Sequence, residues 1–155
     1  MSDTLSFIAK ARDTYVASNA ACLDWLLQRP ALGPGFLNSK QNSITLVDYG
    51  PEDGLRAPEF TYGWIQGRGL ESLAMHARYF DAHDPELSAR LDAAGRQLYA
   101  ILRDLWARDG HAYFCYDGAM KPVVAGQDGS ATPQAEAGEI YTYSDIFVLK
   151  GLIAA

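Results

Sequence analysis

Residues 84–110, DPELSARLDAAGRQLYAILRDLWARDG, carry the most complete helix signature in the chain. Asp84 can cap the first turn, Pro85 occupies the first helical position, and Glu86 favours the positive end of the helix dipole. Asp109-Gly110 supplies the stop signal. Between these ends, apolar residues recur every three or four positions, which predicts a helix with one buried face. These residues are Leu87, Leu91, Ala94, Leu98, Ile101, Leu102 and Leu105.

Two segments before this helix also carry a helical pattern. Residues 3–28 show apolar positions at three- and four-residue steps, and Pro30 ends the segment. A second helix is predicted to begin between Tyr62 and Gln66 and to continue to about Ala82.

A fourth helix is predicted to begin near Ser144, whose hydroxyl can cap it. Residues 146–155 are apolar on nearly every side, a pattern typical of a helix that is buried all round. Because a domain seldom ends inside its most buried element, we expect residues 1–155 to be the truncated N-terminal portion of a larger single domain. The alternative is a complete small helical domain that dimerises through this segment.

The connections between the helices carry turn and strand signals. Residues 30–60 are rich in Gly, Pro and Asn, with a strand-like run at residues 44–47. Residues 111–124 predict a small β-hairpin around an Asp117-Gly118 turn, and a loop covers residues 125–139.

The four predicted helices alternate in character along the chain. The first and third have an apolar stripe and a polar back, which is typical of an outer layer, whereas the second and fourth lack a clean solvent face. This alternation is what stacked helical hairpins give in an α/α toroid. The predicted fold class is therefore all-α, with a small β-hairpin.

The second helix presents two different faces at about 100° per residue. If its leucine face packs on the outer layer, the opposite face looks into a central cavity, where Arg68 beside Trp64 would meet a ligand. The alternative is an ordinary exposed ion pair between Arg68 and Glu71, which the pattern alone favours. The leucine face comprises Leu70, Leu73, Ala77 and Phe80, and the opposite face comprises Trp64, Arg68, Glu71 and Met75.

Composition and charge narrow the range of partners. The formal net charge of -6 argues against nucleic acid, and the absence of a Lys/Arg run argues against an anionic membrane surface. The N-terminal residues lack a secretory signal pattern, and no apolar run is long enough to span a membrane. Cys22 and Cys115 have neither metal-ligand nor redox spacing and are interpreted as buried thiols. We therefore expect a cytoplasmic protein with a small-molecule ligand.

Of the three histidines, His76 is interpreted as a packing or surface residue, His83 as part of the loop before Asp84, and His111 as the start of the hairpin. No pair of them has the spacing of a zinc site, so we expect no metal, and no sequence feature indicates a cofactor.

Residues 62–68, YGWIQGR, resemble the W-L-Q-G-R signature of the N-acylglucosamine 2-epimerase family, which includes cellobiose 2-epimerases and bacterial mannose and sulfoquinovose isomerases. Two further segments match in the same order. Lys121-Pro122-Val123 is similar to the family's R-P-V, and residues 143–147, YSDIF, are similar to its F-S-[ED]-x-F helix start. Gly69-Leu70-Glu71 replaces the more usual Q-V-W, and this departure leaves the substrate open.

The resemblance implies an (α/α)6 barrel, of which this chain supplies about the first third, and a sugar 2-epimerase or aldose–ketose isomerase. In this chemistry the proton next to the open-chain carbonyl is removed, and the resulting enediolate is reprotonated. Arg68 matches the family arginine that contacts the sugar oxygens, and its multi-donor guanidinium suits an enediolate oxygen. The resemblance assigns the acid/base work to two histidines beyond residue 155, so we expect residues 1–155 alone to be inactive.

Three further residues are candidates for substrate binding. Trp64 could stack on a sugar ring or be a structural indole, and these interpretations are equally favoured. Glu71 shares the Arg68 face. Tyr113 could overhang the cavity from the hairpin, although an aromatic hairpin core is the favoured interpretation for it.

Two other functions remain open, as does a homodimer. A glycoside hydrolase or lyase on the same toroid would need two carboxylates across the cavity, and Glu71 and Asp145 are the available pair. A non-enzymatic sugar- or protein-binding relative would keep the barrel without the chemistry.

Overall fold

The computed structural model describes residues 2–155, and within them the fold is predominantly helical, as predicted. The helices are α1 (Ser2–Gln28), α2 (Gly63–Phe80), α3 (Pro85–Asp109) and α4 (Tyr143–Ala154), with a 3-10 turn at Pro51–Arg56. The strands are β1 (Thr61–Tyr62), β2 (Cys115–Tyr116), β3 (Val123–Ala125) and β4 (Ala131–Pro133). Antiparallel pairing joins β1 to β2 and β3 to β4.

Both ends of α3 form as its sequence signature predicts. The Asp84 carboxylate accepts a hydrogen bond from the backbone N–H of Leu87 at 3.0 Å. At the other end Gly110 adopts a left-handed conformation with φ 68°, and its N–H donates to the Trp106 carbonyl. Because only glycine enters this region without steric cost, the helix ends at the predicted position.

Helix α2 lies at the centre of the helical packing. It packs extensively against both α3 and α4, whereas α1 and α4 each meet α3 less extensively. The predicted leucine face of α2 is buried in the main core, with exposed fractions of 8% or less. The α2 residues in this core are Leu70, Leu73, Ala77 and Phe80.

Helix α1 is packed over only part of its length. Near its C-terminal end Leu23 is buried and Leu27 is partly buried against the core, whereas Leu5 and Ile8 are exposed. Its apolar stripe therefore continues past the surface that α3 covers. Cys22 is also exposed, contrary to the expectation of a buried thiol, because it lies on the outward side of α1, while Cys115 is buried as expected.

Helix α4 differs from the sequence prediction in two respects. It begins at Tyr143, after Thr142, and Ser144 is buried inside its first turn instead of capping it. The prediction of burial on all sides is also wrong within this chain. Val148 is 1% exposed but Ile153 is 85% exposed, because α2 covers one face of α4 and no described residue covers the other.

The connections also differ from the predictions. Residues 44–47 form an exposed turn instead of a strand, because the Asn42 side chain accepts hydrogen bonds from the N–H groups of Ile44 and Thr45. The Asp117-Gly118 turn is present, with a bridge between Tyr116 and Pro122. The flanking strands, however, pair mainly elsewhere, β2 with β1 and β3 with β4.

None of the described helices combines the length and the apolar character that a membrane-crossing segment requires.

Candidate functional site

Two glycines bring α2 and α4 into backbone contact. A Cβ atom on Gly67 would lie 2.5 Å from the carbonyl group of Phe147, and a Cβ atom on Gly151 would lie 2.5 Å from the Gly67 carbonyl oxygen. Since these distances are too short for any side chain, the two glycines allow the close crossing. The G of W-x-Q-G-R therefore sets the distance between the two helices.

Gln66, the preceding motif residue, attaches the long connection to α2. Its side chain is 2% exposed. Its amide oxygen accepts from the N–H of Leu37 at 2.9 Å, and its amide nitrogen donates to the Leu37 carbonyl at 3.0 Å. Both polar groups of this buried amide are thereby satisfied, so Gln66 serves a structural role here.

Three aromatic rings line the surface where α2 and α4 begin. The ring of Trp64 lies 6.1 Å from that of Tyr143 and 6.5 Å from that of Phe147, and the last two meet edge-on at 4.5 Å. We call Trp64, Tyr143 and Phe147 the aromatic wall. The indole Nε1 of Trp64 is buried and has no acceptor among the described residues. Tyr143 itself is 60% exposed, so the wall is accessible to a ligand.

Arg68 is exposed and lies against this wall. Its Cζ atom is 5.9 Å from the Trp64 ring centre and 5.4 Å from the Phe147 ring centre, which is within range of cation–π attraction. Within residues 2–155, its guanidinium forms no hydrogen bond and no ion pair. Glu71 instead pairs with Lys150 of α4, with Nζ and Oε1 3.2 Å apart. The Arg68–Glu71 ion pair that the sequence favoured is thus not formed, and the donors of Arg68 are free.

Tyr113, a predicted substrate-binding residue, lies in the main core instead of on the aromatic wall. It is 7% exposed, its ring meets that of Tyr116 edge-on, and its hydroxyl accepts from the N–H of Ala137. The structure therefore brings together Trp64, Arg68 and Glu71 on one surface and leaves Tyr113 apart from them. The placement agrees with the aromatic-core interpretation of Tyr113.

Asp145 is buried at the start of α4, where it joins three segments of the chain. Its carboxylate accepts from the N–H of Ala112 at 2.7 Å and from the N–H and hydroxyl of Thr142. His111 Nδ1 lies 3.3 Å from the same carboxylate. Burial alone would raise the pKa of Asp145, but these hydrogen bonds and His111 outweigh it and hold the pKa below the usual value. Asp145 is occupied by these hydrogen bonds, and Glu71 is paired with Lys150. The two-carboxylate hydrolase alternative therefore gains no support.

The other histidines lie in local helical contacts. His76 Nδ1 lies 2.8 Å from the carbonyl oxygen of Ser72, and His83 Nδ1 lies 2.9 Å from that of Tyr79. Across residues 2–155, no group of three or more His, Cys, Asp or Glu side chains could hold a metal ion.

Sequence reasoning missed two members of the site and one buried charge. Tyr143 and Phe147 were recognised only as part of a motif, although their i,i+4 spacing places both on one face of α4, as the same spacing places Trp64 and Arg68 on one face of α2. Lys40 lies in the long connection and is 7% exposed, with Nζ 4.3 Å from the Tyr62 ring centre. No local pattern marks a lysine in a loop as buried.

Comparison with models of known families, with curated proteins and with solved structures gives no match. The resemblance to the 2-epimerase family thus rests on the three segments quoted for it, and the structure gives two of them a physical role. W-x-Q-G-R supplies the helix crossing, the loop attachment and the free arginine. The YSDIF segment supplies two rings of the aromatic wall and the buried Asp145.

Proposed function

We propose that this chain forms the sugar-binding wall of a carbohydrate 2-epimerase or aldose–ketose isomerase. The observation that carries the proposal is the exposed Arg68 guanidinium, held against aromatic rings with no carboxylate partner among the described residues. Glu71, the carboxylate that helical spacing would pair with Arg68, is bound to Lys150 instead. The arrangement therefore presents free donors to a ligand.

The chemistry follows from what these groups can do. Aromatic faces stack on the C–H faces of a sugar, so the aromatic wall would hold the substrate through Trp64 and Tyr143. Arg68 would donate hydrogen bonds to the sugar carbonyl oxygen and stabilise the negative charge that develops there in the enediolate. The proton transfers would be performed by the two histidines that the resemblance implies, because none of the three in this chain contacts the wall.

The same proposal extends to architecture. The packing of α2 against both α3 and α4 is compatible with the first helical hairpins of an (α/α)6 barrel, in which α1 and α3 would form the outer layer and α2 and α4 the inner layer. In that arrangement the Arg68 face of α2 would line the central cavity.

The proposal is tested by proton exchange. Candidate aldoses and ketoses, free, N-acylated and disaccharide, are incubated in D2O with the protein at its natural length, and deuterium at C1 and C2 is followed by NMR and mass spectrometry. We expect deuterium at C2 of the substrate or at C1 of the ketose product. Absence of exchange with every sugar rejects the proton-transfer chemistry. Sugar binding without exchange would instead favour the binding-protein alternative, and cleavage products would favour the hydrolase.

A further inference from the structure

Phe147 contacts Arg68 from a different helix and a different motif. The phenyl ring is partly buried, and its centre lies 5.4 Å from Cζ of Arg68, closer than the Trp64 ring on Arg68's own helix. We propose that Phe147 is the positioning residue for Arg68: its ring holds the guanidinium by one face and so fixes the direction of the donors. The consequence for sugar chemistry rests on the proposed function, whereas the positioning contact rests on the geometry alone.

The helix crossing explains why these two side chains meet. The backbone of Phe147 lies directly against Gly67, the residue before Arg68. Val148, the next residue on α4, is 1% exposed and fixes the rotation of that helix in the core. With the spacing and the rotation both fixed, the Phe147 ring lies beside the guanidinium of Arg68.

Aromatic contact holds a guanidinium in a different way from an ion pair. A carboxylate occupies the in-plane N–H donors, whereas a ring occupies only the π face and leaves those donors free. An exposed arginine with neither partner would sample many rotamers, and a ligand would have to restrict them at a cost in conformational entropy. Lys150 supports the arrangement, because its ion pair with Glu71 engages the carboxylate that could otherwise compete for Arg68.

The positioning contact can be measured without any sugar. Side-chain NMR of the arginines in the full chain, with the Arg68 signals assigned from Arg68→Lys, reports the ring-current shift that a nearby phenyl ring imposes. We expect Phe147→Leu to remove that shift and to increase the mobility of the Arg68 Nε–H group. Phe147→Tyr keeps an aromatic ring and should retain the shift and the restricted mobility of the unaltered protein. Phe7→Leu, at a 72% exposed phenylalanine of α1, is the matched control and should leave Arg68 unchanged. Phe147→Met serves the same purpose if the leucine variant does not fold.

The catalytic consequence is measured separately. In the sugar reaction, Phe147→Leu should lower kcat by about tenfold or more with a smaller change in KM, because an arginine that acts on the developing oxyanion is misdirected. An Arg68 resonance that does not move in Phe147→Leu, or that moves equally in the control, overturns the proposal. So does a lost ring-current shift without increased mobility of the Arg68 Nε–H group. Increased mobility with unchanged kcat rejects the catalytic consequence and leaves the contact in place. A lost shift in a protein that neither binds nor converts sugars leaves the positioning contact established and rejects the proposed function.

Discussion

At the scale of single residues, Lys40 and Asp145 are buried charges with opposite consequences. The Lys40 ammonium lies over the Tyr62 ring and has no hydrogen-bond acceptor among the described residues. Burial lowers the pKa of Lys40 from 10.5 to about 8, although Cys115 and Glu59 act in the opposite direction. Because the folded-state pKa lies below the unfolded one, the charged lysine destabilises the fold below about pH 8. This cost disappears as the pH rises towards the unfolded-state pKa.

Lys40→Met should therefore stabilise the protein at neutral pH. The substitution keeps the length of the side chain and removes a buried charge, so we expect the free energy of unfolding to rise by about 1 kcal/mol at pH 7. Urea unfolding at pH 7 and at pH 10 measures the effect, which should shrink at the higher pH. Lys10→Met, at an exposed position on α1, controls for a general change in charge. A gain that is equal at both pH values would contradict the assignment of Lys40 as a buried charge.

Ionised Asp145 stabilises the fold, whereas ionised Lys40 destabilises it. The pKa of Asp145 is depressed in the fold, so its contribution to stability is present above the unfolded carboxyl pKa and is lost as the pH falls through the folded value. We expect Asp145→Asn to lower the free energy of unfolding by about 2 kcal/mol at pH 7, because the Thr142 and Ala112 N–H groups lose their charged acceptor. The deficit should narrow in acid. Asp81→Asn, at an exposed carboxylate that forms no hydrogen bond or ion pair with the described residues, is the control, and a deficit that stays constant down to pH 3 would reject this role.

At the scale of secondary-structure elements, the contact between α2 and α4 depends on Gly67. Gly67→Ala places a Cβ atom 2.5 Å from the Phe147 backbone, which neither helix can avoid without moving. We expect the free energy of unfolding to fall by about 2 kcal/mol or more. Gly95→Ala is the matched control on α3, since its Cβ atom would meet only Leu73 at 3.8 Å. That substitution should raise stability by about 1 kcal/mol.

Chemical denaturation of the two glycine variants, with circular dichroism as the readout, distinguishes these outcomes. Equal effects of the two substitutions would mean that α2 and α4 do not cross closely at Gly67.

The elements differ in how far their sequence predicts them, and the reason is the range of the interactions that form them. The ends and buried stripe of α3 follow from signals within residues 84–110, and both were predicted correctly. The turn at residues 44–47 depends on one side chain, Asn42, and overrides the β propensity of its apolar residues. The partner of β2 is β1, more than fifty residues earlier. No local pattern indicates such a pairing.

The same distinction applies to the candidate site. The helical period placed Trp64, Arg68 and Glu71 on one face of α2, opposite Leu70 and Leu73, and the structure agrees. The helical period could not show that Glu71 pairs with Lys150 or that Phe147 lies against Arg68, because both contacts join helices that are far apart in sequence. The prediction of an Arg68–Glu71 ion pair, which the pattern alone favoured, was therefore wrong.

At the scale of the whole molecule, the packing of α2 against α4 places the start of α2 beside the start of α4, and this pairing creates a surface that neither helix has alone. The surface combines an aromatic wall, a free guanidinium and an ion pair at its far end. Since the net charge of the chain is -6, an uncompensated arginine at this position stands out as a local positive site. A small polar molecule with an oxygen that gains negative charge during reaction suits such a surface.

The central claim, that Arg68 acts on a sugar oxygen, is tested most directly by Arg68→Lys. The substitution keeps the positive charge and loses the planar multi-donor geometry. For the protein at its natural length, we measure kcat/KM for the sugar that shows deuterium exchange, together with the free energy of unfolding, and use Arg96→Lys on α3 as the control. We predict that kcat/KM falls by about a hundredfold while stability changes by less than about 0.5 kcal/mol. Unchanged kcat/KM in Arg68→Lys would contradict the account and leave Arg68 as an ordinary surface residue.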